Sequence, residues 1–258
     1  MELHKYVLRG SITPESNSPK ATSIDVVLPV YNEESQLRPS VEYLFNFLTH
    51  HLHQNWQITI ANNGSTDNTI QVGRSLANQY QNVRLINLPE KGRGRALKKV
   101  WLESEAEILS YMDIDLSTDL NHFQSLLVAL ISEGYDLAIG SRLAKGAMVT
   151  RSLKREILSR GYIFLIHALF QTQFTDAQCG FKAITKQAAR AIIPRIRDNE
   201  WFFDTELLIT AESSGFRIKD IPVCWNEDSD SRVKIIPTII RDIRGLLRLR
   251  FKFPNQKP

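Results

Sequence analysis

Short apolar runs and longer helix-like segments alternate along the first half of the chain. The strand-like apolar runs are residues 24–30, 56–62, 83–88, 108–114 and 136–141. The segments between the first four runs, about 34–52, 67–80 and 94–106, are predicted to be helices. Strands that alternate with helices in this way predict an α/β fold, with a mostly parallel central sheet and helices on both faces.

The second half of the chain departs from this alternation, and it ends in a basic helix. The predicted elements are a helix over 151–170, a loop entering a strand over 176–184, a helix over 201–215, a strand over 217–225 and a helix over 236–253. In the last of these, isoleucines and leucines follow helical spacing and arginines line another side. This pattern favours a helix at an anionic membrane surface. The alternative is a helix that packs on the core with its arginines in water.

Composition limits the number of domains and the class of protein. The chain has 258 residues, of which 43% are hydrophobic, enough for one sizeable core. We expect a poorly ordered lead-in over 1–22, one domain over 23–235, and a basic amphipathic tail over 236–258. The chain has 32 Lys and Arg against 28 Asp and Glu, and this excess of positive charge is too slight to predict nucleic-acid binding.

The cysteines and the apolar runs predict the compartment. Cys179 and Cys224 are too few for a disulfide framework and fit a reducing environment. The N-terminus shows no positively charged leader followed by a long apolar stretch. The longest apolar run, 161–170, is too short to span a bilayer. These features predict a cytoplasmic protein, soluble or peripheral at a membrane surface.

Polar loops follow the predicted strands at the sheet edge where ligands bind in folds of this kind. They are PVYNEE at 29–34, NNGSTD at 62–67, MDID at 112–115 and GSR at 140–142. Turn formation explains each loop taken singly. Their convergence on one edge indicates a binding site.

Asp113 and Asp115 lie at the end of the predicted strand 108–114, two residues apart and so on one face of it. Two neighbouring carboxylates repel unless a cation or a proton neutralises them or deep solvent screens them. A hard divalent cation such as Mg²⁺ or Mn²⁺ suits this oxygen pair and leaves positions for phosphate oxygens. The alternative is a turn that caps the next helix.

Basic residues supply candidate phosphate ligands in two places. The segment KGRGRALKKVW (91–101) combines close backbone approach at its glycines with arginines and lysines. It matches neither the nucleotide P-loop nor the dinucleotide-binding pattern. Arg142 precedes Arg155 and Ser159, and the latter two share a helix face. Together these three form a candidate phosphate site; the alternative is a solvated helix face.

Two sets of motifs follow one another along about residues 24–250. The first set is DVVLPVYNEE, NNGSTDNT, KGRGRAL and DIDLS, and the second is GSR, LKREILSRG, DAQCGFK, WFFDTELL and VCWNEDSDSR. In order and spacing the first set resembles the inverting glycosyltransferases of family 2, which have the GT-A fold. The second set resembles dolichyl-phosphate glucosyltransferases and, more distantly, dolichyl-phosphate mannose synthases.

The resemblance implies a role for each matching residue. The residues implied to contact the base and ribose of the nucleotide are Pro29, Tyr31, Glu33, Ala61 and Asn63, and those implied to hold a diphosphate-bridging metal are Asp113 and Asp115. The residues implied to contact the acceptor phosphate are Arg142, Arg155 and Ser159. Asp176 is implied to lie near the anomeric carbon, and Arg232 to contact the donor phosphates from a mobile loop. Asp115 is implied as the more direct metal ligand. One departure is that Asn62 and Asn63 stand where the family usually has Asp at one or both positions.

The implied reaction is the inverting transfer of a hexose from a nucleotide-diphosphate sugar, with UDP-glucose favoured, to a polyprenyl or dolichyl phosphate. An ionised phosphate acceptor needs positioning rather than a strong general base. One alternative is a family 2 enzyme with a hydroxyl acceptor, for which Asp176, Asp204 or Glu206 would serve as the base. Another is a non-catalytic protein that binds a sugar nucleotide or a membrane.

Overall fold

The computed structural model describes residues 22–226 and 235–252, and within them a central sheet carries helices on both faces. The strands are β1 (Ser23–Val30), β2 (Asn55–Asn63), β3 (Val83–Leu88), β4 (Ile108–Met112), β5 (Leu137–Ser141), β6 (Met148–Thr150), β7 (Phe181–Thr185), β8 (Ile218–Pro222) and β9 (Cys224–Asn226). The helices are α1 (Leu37–His51), α2 (Thr69–Gln79), α3 (Arg93–Glu103), α4 (Phe123–Ile131), α5 (Leu153–Phe170), α6 (Lys186–Ile192), α7 (Phe203–Glu212) and α8 (Ile235–Lys252).

The main sheet of the described residues has the strand order β3-β2-β1-β4-β7-β5-β8. β1 pairs in parallel with β2 and β4, β2 with β3, and β5 with β8. β7 runs antiparallel between β4 and β5. The prediction of an α/β fold with a mostly parallel sheet is therefore confirmed.

Alternate residues of β1 show how the sheet separates two apolar layers. Val26 and Leu28 pack into the layer that contains α1 and α4. Val27, between them, packs into the layer that contains α3 and α5 to α8. All three are fully buried. A strand covered on both faces is almost continuously apolar, which explains why its sequence shows no alternation.

Several predicted boundaries were wrong. β4 ends at Met112, so Asp113 and Asp115 lie beyond the strand and not within it. The predicted strand 217–225 divides into β8 and β9, and β9 pairs with β6 in a separate two-stranded sheet. That division places Trp225 beside the loop after β4, because Thr118 and Trp225 form an antiparallel bridge.

Candidate active site

Asn63, the last residue of β2, joins three segments of the candidate site. Its Nδ2 donates a hydrogen bond to the Val30 carbonyl at 2.7 Å, and its Oδ1 accepts one from the Gly92 N–H at 3.1 Å. An aspartate at this position has no donor for the Val30 carbonyl. The amide therefore holds the ends of β1 and β2 and the start of α3 together, which gives a structural reason for the departure from the family's Asp.

The remaining residues expected to contact the nucleotide lie around this junction. Pro29 and Ala61 are register partners in β1 and β2. The ammonium group of Lys91 lies 3.7 Å from the centroid of the Tyr31 ring. The backbone N–H of Glu33 donates to Thr69 Oγ1 at 2.8 Å. The structure thus brings the loop after β1, the end of β2 and the segment before α3 to one place.

Asn62 carries an unsatisfied polar atom at the same edge. Its Nδ2 donates to Asn87 Oδ1 at 2.6 Å, and the side chain is fully buried. Its Oδ1 lies without a hydrogen-bond partner among the described residues. A buried amide oxygen left unpaired costs about 1–3 kcal/mol, so it marks a position where a donor from a ligand would be stabilising.

The two aspartates after β4 occupy a tight turn. The Leu116 N–H donates to the Asp113 carbonyl at 3.1 Å, and Leu116 has a left-handed φ of +49°. Asp115 Oδ1 accepts from the Ser117 N–H at 3.0 Å. Asp115 is exposed, whereas Asp113 Oδ1 forms an ion pair with Arg93 Nη2 at 3.0 Å. The turn, and not strand alternation, brings the two carboxylates to one cleft.

The walls of this cleft come from both halves of the chain. It is lined by Asp113, Asp115, Ser117, Gly180 and Trp225, among others. The Asp113 carboxylate lies directly against Gly180, where an added Cβ would overlap it. The Asn226 N–H donates to the Ser117 carbonyl at 3.0 Å and fixes the opposite wall.

The donor set fits a hard divalent cation. Asp115 is solvent-exposed, and Asp113 lies close enough for their charges to interact. Burial raises the pKa of Asp113; Arg93 opposes this shift and the neighbouring Asp115 adds to it. Carboxylate oxygens at the mouth of a cleft, with space left for further oxygen ligands, are what Mg²⁺ and Mn²⁺ prefer.

Both carboxylate oxygens of Asp176 accept hydrogen bonds from Arg142. Arg142 donates from Nε to Oδ2 at 2.7 Å and from Nη2 to Oδ1 at 3.0 Å, and its backbone N–H also reaches Oδ2. Burial acts to raise the pKa of Asp176, but Arg142 and the Gln178 N–H outweigh it and lower the pKa to about 2. A carboxylate so strongly stabilised as an anion is a poor general base.

Asp204 and Glu206, the two other candidate bases, are also engaged. Asp204 accepts from Lys182 Nζ at 2.9 Å and from the Tyr111 hydroxyl. Burial opposes the charge on Asp204, but Lys182 and Arg93 lower its pKa. Glu206 is fully buried and accepts from Arg248 Nη2 at 2.6 Å and from the Asp198 N–H at 2.8 Å.

Among the described residues, the three side chains expected to hold the acceptor phosphate are not hydrogen-bonded to one another. Arg142 pairs with Asp176, as described above. Ser159 Oγ accepts instead from Arg151 Nη1 at 3.2 Å, and Arg151 also donates from Nε to Glu156 at 2.6 Å. Arg155 lies on α5, four residues before Ser159. Arg232, the expected donor-phosphate contact, lies outside the described residues.

Sequence reasoning missed several residues of the site. Lys182 is buried to 1% exposure and donates to the carbonyls of Ala177 and Cys179 as well as to Asp204. Arg151 has a side chain only 4% exposed. Lys182 ends the motif DAQCGFK and Arg151 begins the predicted helix 151–170, but a sequence does not indicate which of its basic residues is buried.

Helix α8 has both a packed and an exposed side. Gly245 contacts Phe202, and Leu246 and Leu249 are buried. Ile240, Ile243, Leu247 and Phe251 are exposed. The helix therefore packs on the core through a side that includes Leu246, and it also presents an apolar surface. Its contact with a membrane stays a prediction. Within the described residues, no helix combines the length and the hydropathy needed to cross a bilayer.

The chain is similar to curated glycosyltransferases. It is 34% identical to the glycosyltransferase AglD of Haloferax volcanii over 90% of the chain, but spans only 37% of that relative. It is 32% identical to the dolichyl-phosphate beta-glucosyltransferase ALG5C of Trichomonas vaginalis, over 86% of the chain and 69% of the relative. The corresponding enzyme of Saccharomyces cerevisiae is 27% identical, over 89% and 75%.

Solved structures share the fold. Glucosyl-3-phosphoglycerate synthase of Mycobacterium tuberculosis superposes with a TM-score of 0.65, covering 92% of this chain and 82% of that one at 20% identity. The same enzyme in complex with Mn²⁺, UDP and glucosyl-3-phosphoglycerate gives a TM-score of 0.63 at 20% identity, over 92% and 82%. At this identity the likeness supports the GT-A fold alone.

The family follows from the sequence match. The model of glycosyl transferase family 2 matches residues 25–193, well over half of the chain. This stretch contains the ends of β1, β2 and β4, where the structure places the candidate site. The resemblance inferred from the motifs is thereby confirmed, and the chain belongs to glycosyl transferase family 2.

Proposed function

We propose that the chain is a metal-dependent, inverting hexosyltransferase that moves glucose from UDP-glucose to a polyprenyl phosphate such as dolichyl phosphate. The observation that carries the proposal is that each of the three carboxylates considered as a general base already pairs with a basic side chain. Asp176, Asp204 and Glu206 are each buried and paired with a basic residue. Such a site suits an acceptor that arrives already ionised, which a phosphate monoester does near neutral pH.

The donor is assigned from the site and from the relatives. Pro29, Tyr31, Glu33, Ala61 and Asn63 surround the place proposed for the base and ribose. The relatives from Trichomonas vaginalis and Saccharomyces cerevisiae are named as dolichyl-phosphate beta-glucosyltransferases. The Mycobacterium tuberculosis synthase of similar fold has been crystallised with Mn²⁺ and UDP-glucose. These names favour UDP-glucose over a GDP-sugar.

A divalent cation, Mn²⁺ or Mg²⁺, would be held by Asp115 directly and by Asp113 beside it. When bound, such an ion stabilises the negative charge that develops on the departing diphosphate. The chain's own part is to place the two carboxylates. The turn at Leu116 presents Asp115 to solvent, and Gly180 leaves room for the Asp113 carboxylate. Arg232 is proposed to add positive charge at the same phosphates.

The acceptor phosphate is proposed to bind near Arg142, Arg155 and Ser159. The pair with Asp176 uses Nε and Nη2 of Arg142 and orients the guanidinium, leaving Nη1 outside that pair. Arg151 orients the Ser159 hydroxyl. Asp176 thus serves the proposed reaction by positioning Arg142 and not as a base. Fixed arginines that align a phosphate oxygen with the anomeric carbon supply most of the rate enhancement that this reaction needs.

The acceptor's lipid chain and the membrane are accommodated by α5 and α8. The two helices contact each other. α5, which carries Arg155 and Ser159, exposes Leu153 at 81%, Ile157 at 69% and Phe164 at 74%. A phosphate bound at the start of α5 would leave its polyprenyl chain beside these apolar residues. We therefore place the protein at a membrane surface, with α5 and α8 facing lipid.

The proposal is tested with a panel of radiolabelled UDP- and GDP-sugars, each offered with a polyprenyl phosphate or with the dephosphorylated polyprenol. We expect a lipid-soluble product from UDP-glucose and polyprenyl phosphate alone. Asp115→Asn is the matched control and should give about 100-fold less product or still less. A product with the polyprenol would favour the hydroxyl-acceptor alternative, and no product from any pair would favour a non-catalytic binding protein.

A further inference from the structure

Arg93 forms an ion pair with one of the two proposed metal ligands. Its Nη2 lies 3.0 Å from Asp113 Oδ1 and 3.8 Å from Asp204 Oδ2. The residue is the first of α3, and its flat guanidinium lies 4.9 Å from the ring centroids of both Tyr111 and Trp201. Asp113 therefore already has a positive partner supplied by the chain.

This guanidinium is enclosed by the protein. Arg93 is only 8% exposed, and its Nε is buried without a hydrogen-bond partner among the described residues. An arginine guanidinium stays protonated in proteins, and the carboxylates of Asp113 and Asp204 lie beside this one. The side chain is thus a fixed cation whose hydrogen-bonding capacity is incompletely used.

Among the described residues, two cations and two anions are paired around Arg93, with the Asp113 side chain 41% exposed and Asp115 outside these pairs. Arg93 and Lys182 supply two positive charges, and Asp113 and Asp204 supply two negative ones. A dication placed beside Asp113 would meet a carboxylate that Arg93 has already neutralised, and would lie within a few ångströms of a like charge. Like unit charges about 4 Å apart near a protein surface repel by about 4 kcal/mol.

We propose that Arg93 is a positioning residue that makes metal binding depend on the donor. Its ion pair with Asp113 weakens the binding of a free divalent cation. The diphosphate of the donor brings negative charge to both Arg93 and the cation, and so removes the repulsion between them. The proposal rests on the metal site assigned to Asp113 and Asp115 above. It predicts weak binding of the cation alone and cooperative binding of the cation with a nucleoside diphosphate, which is reciprocal by thermodynamic linkage.

The test measures Mn²⁺ binding and not transfer. Free Mn²⁺ is followed by electron paramagnetic resonance while the protein is titrated with the metal, without and with UDP. In Arg93→Met, Mn²⁺ alone should bind about tenfold more tightly or better, because Asp113 regains its full charge. The strengthening of Mn²⁺ binding by UDP should shrink correspondingly.

Two matched variants isolate the effect. Arg84→Met removes the same charge from another arginine–aspartate pair, Arg84 with buried Asp25, at the opposite edge of the sheet, and should bind Mn²⁺ as the unaltered protein does. Arg93→Lys keeps the positive charge and should restore the weak binding of Mn²⁺ alone. Circular dichroism and thermal melting verify that each variant is folded.

Two results would overturn the proposal. One is a folded Arg93→Met variant that binds Mn²⁺ alone no more tightly than Arg84→Met. The other needs no variant: equal Mn²⁺ affinity of the unaltered protein with and without UDP. This test is independent of the sugar panel. If Mn²⁺ and UDP bind cooperatively but no lipid product forms, the inference about Arg93 stands and the proposed function is contradicted.

Discussion

At the scale of single residues, the site depends on close packing around Asp113. Gly180 lies against the Asp113 carboxylate, and the backbone N–H of Asp113 donates to the Gly180 carbonyl at 3.0 Å. Arg93 forms an ion pair with Asp113 Oδ1. Asp115, two residues on, is exposed. The two acids therefore have different surroundings and different proposed duties: Asp113 is held in place, and Asp115 is available to a ligand.

The packing at Gly180 gives a direct prediction. In Gly180→Ala the new methyl group overlaps the Asp113 carboxylate, so the carboxylate must move. We expect about 1–3 kcal/mol of destabilisation and at least about tenfold weaker binding of UDP in the presence of Mn²⁺. Thermal melting and calorimetric titration measure the two effects.

Gly161 provides the matched control for this substitution. It lies within α5, and a Cβ added there meets nothing within 4 Å. Gly161→Ala should therefore leave UDP binding unchanged and stabilise the fold by up to about 1 kcal/mol, since alanine favours helix. Equal UDP affinity in the two variants would show that the position of the Asp113 carboxylate is unimportant.

Asp115→Asn tests the other acid. The amide oxygen can still accept the hydrogen bond from the Ser117 N–H, so the turn and the melting temperature should be retained. The negative charge is lost, and transfer of glucose should fall by about 100-fold or more. Turnover that matches the unaltered protein would remove Asp115 from the proposed metal site.

The sequence indicated which residue types gather at the site but not how they pair. Asp113, Asp115 and Asn63 were identified because polar residues that follow strands converge at one sheet edge. The pairing of Arg142 with Asp176 joins residues 34 positions apart. It depends on β7 lying antiparallel beside β5. Such a long-range arrangement leaves no periodic signal in the local sequence.

At the scale of elements, prediction succeeded where pattern and length agreed. β1 to β3 and α1 to α3 lie within a few residues of their predicted bounds. α4, in contrast, was not predicted, because FQSLLVALI is a short apolar run that periodicity cannot distinguish from a strand. α8 shows a second limit, since one basic amphipathic pattern serves both a packed side and an exposed one.

The packed side of α8 carries a titratable group. Asp242 is 4% exposed, accepts from Gln178 Nε2 at 2.9 Å, and has a buried Oδ1 without a hydrogen-bond partner among the described residues. Burial, with Asp198 adding to it, raises the pKa of Asp242 to about 7. In an unfolded chain an aspartate has a pKa of about 3.9.

The free energy of unfolding should therefore fall as pH rises through the interval between these two values. Below about pH 4 both states hold the proton; between pH 4 and 7 the folded state alone retains it; above pH 7 the folded state must bury a charge. Asp242→Asn should abolish a loss of about 2–4 kcal/mol between pH 4 and 8, as measured by urea unfolding.

The comparison needs a control for acids in general. Glu103→Gln removes a carboxylate that pairs with Lys99 at the surface of α3, and should leave the pH dependence nearly unchanged. If Asp242→Asn follows the same pH curve as the unaltered protein, the buried carboxyl does not titrate as its surroundings require.

At the scale of the whole molecule, the proposed catalytic edge and the apolar surface are joined by α5. The helix begins beside Arg151, which orients Ser159, and exposes Leu153, Ile157 and Phe164 along its length. α8 contacts it and adds further exposed apolar residues. A lipid-linked acceptor needs this continuity, because its phosphate must reach the donor while its polyprenyl chain stays in the membrane.

This arrangement predicts which surface meets a bilayer. Ile243 and Leu247 of α8 are 43% and 50% exposed. The double variant Ile243→Glu/Leu247→Glu should bind vesicles of anionic lipid at least about tenfold more weakly, since it places charge in the apolar interface. The double variant keeps the buried contacts of α8, which truncation of the helix would remove together with Leu246 and Leu249.

Tyr43→Glu, at a 62% exposed residue of α1, is the control and should retain vesicle binding. Co-sedimentation at two salt concentrations also tests the basic residues, because their attraction to anionic lipid weakens as salt rises. Unchanged binding of the α8 variant, or equal losses in both variants, would contradict an orientation in which α8 faces the membrane.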